Sequence, residues 1–371
     1  MPTVFYIQFA NPEQYPPLEH GSNILVQNGW ACRFLGRRSA MTGKITFAGL
    51  NGRTVEFMPK WSMRLPAKLE FAVYAIWAVF KVTLMRPDAV YLSDAWVAPI
   101  GVFLHRLGFR VVYHEHDAPD PALGDWLHRA RRRLFELAMF SVVPNAKRVA
   151  HESLEIRELL EVRNFPAKDE VVQLAPVERS ESEVVRLVYC GTLVPSRLPM
   201  VFFESLDASG LDIEVDLMGY ETVHSAGLVK ELLDRFSASA NLDFRFLGAF
   251  PRREMLQRTA QADVGLLLFS NPDDVNEGAM VGASNKIGDY LAAGIPMICS
   301  RTEEFENLSD ELHGVHPLGA EDDVAGALLH LKKLYSSTDA RLALQGQIGT
   351  RCNYEKEFEG VLMRLSSVLP A

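Results

Sequence analysis

Short apolar runs alternate with longer amphipathic stretches from one end of this chain to the other. That alternation admits little besides repeated β-strand–α-helix units around parallel sheets. In the first half it predicts strands at Thr3–Phe9, Ala89–Ser93, Arg110–His114 and Ser141–Val143, with helices at Ser22–Asn28, Lys68–Leu84, Val97–Leu107, Asp125–Phe140 and Ala146–Leu160. In the second half it predicts strands at Arg186–Cys190, Ile213–Met218, Asp243–Leu247, Val264–Phe269 and Met297–Cys299. The helices there are Pro199–Asp207, Gly227–Ala238, Arg252–Gln261, Asn285–Ala293, Asp322–Ser336 and Tyr354–Leu365. A polar, proline-bearing segment, Ala175–Glu183, reads as the linker. A chain of 371 residues is long for one core, so two α/β domains are expected, over residues 1–177 and 184–350, followed by a helix within 351–371. Ligands of such sheets bind at the carboxyl ends of strands, where helix N-termini offer free N–H groups, and a cleft between the domains is expected to hold the site.

Bulk properties narrow the class. A net charge of −9 argues against general nucleic-acid binding. The charge is uneven: residues 1–180 carry 22 Lys and Arg against 18 Asp and Glu, and residues 181–371 carry 16 against 29, so the first half is expected to face something anionic. Cys32, Cys190, Cys299 and Cys352 are scattered without metal-binding spacing, which suits a reduced, cytoplasmic setting. No basic n-region precedes Val4–Ile7, so no signal peptide is expected. The greasiest stretch, Phe71–Phe80, is about half the length of a membrane-spanning helix and reads as a core helix.

The most informative segment is Gly278–Ser300, GAMVGASNKIGDYLAAGIPMICS. A small-residue loop leads into Ser284, Asn285 and Lys286, which open a helix and offer capping side chains, free N–H groups and a positive charge to an anion. Asp289 falls one turn on, on the face of Asn285 and Lys286, where its carboxylate suits ribose hydroxyls. The same pattern also suits a plain capped helix.

NKIGDYLAAGIPMICS resembles the donor-site helix of GT-B glycosyltransferases, particularly glycosyltransferase family 4, with Asp289 at the family's ribose-binding acid. LVYCGTLVPSRLP (Leu187–Pro199) resembles the opening of the family's C-terminal domain and places Gly191, Thr192 and Arg197 at the donor diphosphate. LMGYE and FLGAF resemble its later strand-to-glycine turns, with Gly219, Gly248 and Phe250, the last bordering the nucleobase. QADVGLLLFS, YPPLEHGSNILVQNGWACRFLG and VVYHEHD extend the resemblance over nearly the whole chain, and VVYHEHD places His116 beside the donor sugar. Two positions depart from the pattern. Val281 stands where the family often has Glu, leaving Glu277 four residues further upstream, and Thr192 stands where a second base is usual. Lys286 is expected to supply that charge.

Other features carry weaker signals. His114 and His116 share one side of a strand and form a two-ligand pair without a third, so no metal site is expected. Gly21 and Ser22 read as a helix N-terminus for phosphate or acceptor, or as a surface turn. Arg129, Arg131, Arg132 and Arg133, with Trp126 and Phe135, read as a basic amphipathic face for an anionic membrane, or as a solvated charge run.

The resemblance implies two Rossmann-like domains facing a central cleft, with the last helix crossing back to the first domain. It implies a retaining, metal-independent glycosyltransferase that takes a nucleotide sugar and a sugar- or lipid-linked acceptor, with no cofactor. His116, Arg197 and Lys286 are the expected catalytic residues. Gly191, Thr192, Gly219, Gly248, Phe250, Ser284, Asn285 and Asp289 are expected at the donor, and Gly21, Ser22 and Glu277 at the sugar or acceptor. A nucleotide-sugar 2-epimerase of similar fold and a catalytically silent binding subunit are the alternatives.

Overall fold

The computed structural model describes residues 1–39, 42–47, 49–119, 124–150, 152–173, 184–271, 274–319 and 321–367. The chain divides into two compact units, Met1–Asn164 with Tyr354–Ala371, and Phe165–Asn353.

The first unit holds a seven-stranded sheet, all of whose pairings are parallel, in the order β3-β2-β1-β4-β5-β6-β7. Its strands are β1 (Thr3–Gln8), β2 (Ala31–Gly36), β3 (Arg53–Phe57), β4 (Ala89–Ser93), β5 (Val111–His114), β6 (Ser141–Val143) and β7 (Leu159–Glu161). The second unit holds a six-stranded parallel sheet in the order β10-β9-β8-β11-β12-β13. Its strands are β8 (Val185–Leu193), β9 (Ile213–Glu221), β10 (Leu242–Gly248), β11 (Val264–Leu267), β12 (Met297–Ser300) and β13 (Val315–Leu318). Each sheet has an apolar cluster on either face, which is why its central strands read as continuous hydrophobic runs. Strand order reverses between β1 and β4 in one sheet and between β8 and β11 in the other, and ligands of open α/β sheets bind at such reversals.

Several expectations are corrected. The helix expected at Ala146–Leu160 is confined to Lys147–Ala150, and β7 follows it. Leu154 and Ile156 both pack on the core, and that spacing of two belongs to extended chain. The helix expected at Ser22 begins at Pro16, so Gly21 and Ser22 lie inside it. Gly21 is small because Phe358 packs over it, where a Cβ would lie 2.9 Å from the ring. Ser22 is fully buried and receives a hydrogen bond from Arg53 at 3.1 Å.

The first unit closes at Asn164, earlier than 177, because the following segment is bound into the second unit. Phe165 joins that unit's core, the Val172 N–H donates to Ala292 O at 3.1 Å, and Gln345 Nε2 donates to Val172 O at 2.8 Å. The linker Ala175–Glu183 lies outside the described residues. The second unit also contains helices at Glu303–Glu311 and Thr338–Thr350 that the pattern did not show.

The final helix, Tyr354–Ser366, belongs to the first unit. Its stripe Tyr354, Phe358, Val361 and Leu365 is buried with Leu18 and Leu25 of the helix Pro16–Gln27. Phe358→Ala is expected to cost about 3–5 kcal/mol. Met363→Ala, at a 64% exposed position of the same helix, is expected to stay near wild type. Chemical denaturation checks this, and equal midpoints for the two variants would contradict the packing described.

Candidate functional site

At the reversal point of the second sheet, β8 and β9 run side by side with Gly191 opposite Gly219. Both glycines have positive φ, 127° and 139°, and a Cβ on Gly219 would fall 1.8 Å from Gly191 O. Only glycine permits that approach. Lys286, from the first turn of the helix Asn285–Ala292, fills the space beside Gly191: its Nζ lies 3.3 Å from where a Cβ would be and 4.8 Å from the centre of the Tyr189 ring. Arg197, at the end of the short 3-10 turn Pro195–Arg197, keeps its Nε buried without a hydrogen-bond partner among the described residues. Burial first, and then the charge of Arg197, lower the Lys286 ammonium to about 7. Among the described residues neither cation has an ion-pair partner. The Thr192 carbonyl accepts from the Tyr189 hydroxyl at 2.7 Å and so helps to hold this strand end.

The helix bearing Lys286 carries Asp289 on the same face, and Asp289 is not solvent-facing. It is 4% exposed, and its Oδ1 accepts from Arg252 Nη2 at 2.8 Å. Arg252 also pairs with Glu170, through Nη2 at 2.9 Å and through Nε. Burial alone would lower the Arg252 guanidinium, but Asp289 and Glu170 outweigh it and raise it. Ser284 is the N-cap residue, yet its side chain makes no capping hydrogen bond, and Asn285 is half-buried beside it. Gly248 ends β10 with φ of 80°, and Phe250 follows with the Arg258 guanidinium 4.1 Å from its ring centre.

The structure gives Glu277 a definite place. It lies in the short helix Val275–Gly278, 8% exposed, and its carboxylate accepts from the Ser196 hydroxyl and from the Asn271 N–H at 3.2 Å. Ser196 precedes Arg197, so Glu277 anchors the turn that carries the arginine. Val281 packs on the apolar core, which explains why that position carries no acid.

The carboxyl edge of the first sheet gathers a second set. His116 is 8% exposed, its Nε2 is 2.8 Å from Ser93 Oγ, and its ring centre is 3.9 Å from that of His114. Burial lowers His116 to about 4, with Asp117 opposing and Arg148 assisting, so the imidazole is neutral at pH 7. Arg148 Nη1 donates to the His116 carbonyl and to Asp117 Oδ1 at 2.8 Å. Two residues at the β1–β4 reversal escaped the sequence reading. Gln8 is 1% exposed, with neither amide atom hydrogen-bonded among the described residues. Asp94 has φ of 90°, rare outside glycine, and burial raises its carboxyl to about 7 against backbone N–H bonds from Trp96, Val97 and Phe9. The positive φ was invisible in sequence, but the place of both residues at strand ends was not.

The arginine run divides. Arg131 is 1% exposed and pairs with Glu115, whose Oε1 lies 2.6 Å from Nη2, and with Glu152 at 2.7 Å, while Phe135 is fully buried. Arg131 and Phe135 are therefore core residues, because the inward face of the helix Asp125–Leu137 meets Glu115 at the end of β5. Arg129, Arg132, Arg133 and Trp126 remain exposed.

Residues 22–175 match the family model described as Glycosyl transferase 4-like domain. Among solved structures the chain is similar to a sucrose-phosphate synthase from Thermosynechococcus elongatus, with TM-score 0.73 and 11% identity over 100% of both chains. It is also similar to Anabaena HepE in complex with UDP and glucose, with TM-score 0.69 and 13% identity over 99% of this chain and 100% of that one. WaaG, a glycosyltransferase involved in lipopolysaccharide biosynthesis, aligns with TM-score 0.64 and 12% identity over 97% of this chain and 99% of its own. No curated protein matches at the level of sequence.

Asp289→Ala removes one of two carboxylates from Arg252. It is expected to destabilise the ligand-free protein by about 1.5–3 kcal/mol, the usual range for a hydrogen bond to a charged group. Denaturation of the two proteins without ligand checks this, and an unchanged midpoint would show that the Arg252 pair carries no load in the fold.

Proposed function

Since residues 22–175 carry a glycosyl transferase 4-like domain and the chain has the two-sheet GT-B fold of glycosyltransferases, we propose that it transfers a sugar from a nucleotide-diphosphate-sugar donor to a hydroxyl acceptor. The observation that carries this reading is the pairing of Lys286 and Arg197 at the β8–β11 reversal, two cations without an ion-pair partner among the described residues. A diphosphate supplies the charge that such a pair lacks. HepE was solved with UDP and glucose, which supports a UDP-type donor.

In this reading Gly191 and Gly219 keep the strand ends low enough for the diphosphate to approach, and Thr192, Ser284 and Asn285 border it. Asp289, oriented by Arg252, takes the ribose hydroxyls, and Phe250 beyond Gly248 borders the base. The anomeric carbon–phosphate oxygen bond breaks as the acceptor oxygen bonds to that carbon. The acceptor's proton passes to an oxygen of the departing diphosphate, on the same face, so configuration is retained. Lys286 and Arg197 stabilise the leaving charge in place of a metal ion, and activity is expected to persist in EDTA. The acceptor in this reading is sugar- or lipid-linked and met at an anionic membrane, and the neutral His116 imidazole at the carboxyl edge of the first sheet suits hydrogen bonds with sugar hydroxyls.

Product analysis with UDP-sugars tests the reaction. Transfer of the sugar, or its hydrolysis to free UDP, supports the reading; an epimerised nucleotide sugar supports the 2-epimerase, and unchanged donor supports a silent binding subunit.

Bound phosphates favour the charged form of Lys286, so above pH 7 binding draws a proton onto it. Affinity for UDP is therefore expected to fall as pH rises from 7 to 9, by up to about tenfold per unit. Titration calorimetry across that range checks this, and affinity indifferent to pH would contradict it.

A further inference from the structure

The helix Ala67–Met85 is apolar on all sides, yet the fold covers only one of them. Tyr74, Ala78 and Val82 are fully buried against the first sheet. On the outer face Leu69 is 49% exposed, Ile76 71%, Phe80 61% and Leu84 68%. These positions are spaced by seven, four and four residues and form one stripe along the helix. The next helix, Ala98–Arg106, packs against it and adds exposed Phe103, with Leu107 just beyond. An outer face of a helix in a lone soluble domain ordinarily carries charges, and a continuous apolar stripe marks an interaction surface.

The charge around the stripe says what it meets. Between Lys60 and Arg110 the sequence holds seven Lys and Arg against three Asp and Glu, in a chain of net charge −9. The three acids face inward: Glu70 is 3% exposed and pairs with Arg37, Asp88 accepts from the Thr3 N–H, and Asp94 accepts from the N–H of Val97. Lys60, Arg64, Lys68, Arg86, Arg106 and Arg110 are exposed. Trp61, Trp96 and Trp126 are also exposed, the last two with rings 6.3 Å and 6.0 Å from Phe71 of the same helix. Apolar side chains rimmed by cations and tryptophans match the layers of an anionic lipid surface, acyl chains below and headgroups above. A second copy of this chain would present the same cationic rim, setting like charges against each other.

We propose that the helix Ala67–Met85 lies along an anionic bilayer, with Leu69, Ile76, Phe80 and Leu84 entering the acyl boundary and the surrounding lysines and arginines meeting headgroups. This places the membrane surface on that helix rather than on the arginine run Arg129–Arg133, whose helix contributes only Trp126 to the rim. It deepens the reading of a membrane-borne acceptor and does not depend on the identity of the donor.

Co-sedimentation of the full chain with phosphatidylcholine vesicles, and with mixed phosphatidylcholine–phosphatidylglycerol vesicles, tests the proposal. Wild type is expected to bind the mixed vesicles and to release as salt rises. The exposed triple substitution Ile76→Ser, Phe80→Ser, Leu84→Ser is expected to weaken binding at least about tenfold, with an unchanged thermal midpoint and an unchanged thermal shift with UDP. Lys60→Glu, Arg64→Glu, Lys68→Glu is expected to abolish the preference for anionic vesicles, and Arg129→Ser, Arg132→Ser, Arg133→Ser to leave it intact. Absence of vesicle binding, binding indifferent to the apolar triple substitution, or loss of binding only in the Arg129 set would overturn the proposal. So would a dimer in ultracentrifugation that the apolar substitution dissolves without any effect on vesicles. The UDP shift keeps this outcome separate from failure of the donor reading.

Discussion

Two basic groups, Lys286 and Arg197, share a mostly buried place, where burial and the Arg197 charge disfavour the Lys286 ammonium, and the strand ends and turns around them are built to hold that arrangement. The Lys286 ammonium lies over the face of Tyr189, which favours a cation without neutralising it. The Arg197 turn is tied down from outside, by Glu277 through the Ser196 hydroxyl and by the Ser270 N–H donating to Ser196 O at 2.8 Å. The glycine pair Gly191 and Gly219 removes the side chains that would fill the space at the strand ends. A site optimised for stability would have placed a carboxylate beside Lys286. Asp289, one turn along the same helix, favours the Lys286 cation only electrostatically, and its ion pair is with Arg252, which Glu170 also holds. Among the described residues the strain thus centres on these two basic groups, and the proposed diphosphate donor is of the charge that would relieve it.

What could be read from sequence follows from how far apart the causes lie. Central strands such as β4 and β6 coincide with the predicted spans because burial on both faces leaves an uninterrupted apolar run. Less uniform strands escaped: the edge strand β3 is half-polar, the edge strand β13 carries Pro317, and β2, one place in from the edge, is interrupted by Arg33, which pairs with Glu56 across to β3. Local motifs around Lys286 and Gly191 were legible because their chemistry lies within a few residues. Their partners were not, because Arg252 reaches Asp289 across 37 positions of sequence and Glu170 across 82. Arg131 was misread for the same reason, its partner Glu115 lying 16 residues earlier on another element.

The first unit shows the complementary ambiguity. A helix that is apolar all round, such as Ala67–Met85, looks in sequence like one enclosed by core, and only the fold shows which side stays uncovered. The same unit keeps neutral His116 at the carboxyl edge of its sheet, with the amide of Gln8, which has no hydrogen-bond partner among the described residues. Buried polar groups at the sheet edge and exposed apolar groups on the outer helix thus set two chemically distinct regions in this one unit.

The central claim is that the Lys286 and Arg197 cluster is a strained site completed by a diphosphate. Lys286→Met, which keeps the length of the side chain and removes its charge, tests it most directly when stability is measured at pH 7 with and without UDP. The account predicts that the empty variant is at least as stable as wild type, because an unpaired buried charge has gone, while the stabilisation by UDP falls sharply. A variant that is less stable when empty, and that UDP stabilises as much as it does wild type, would contradict it.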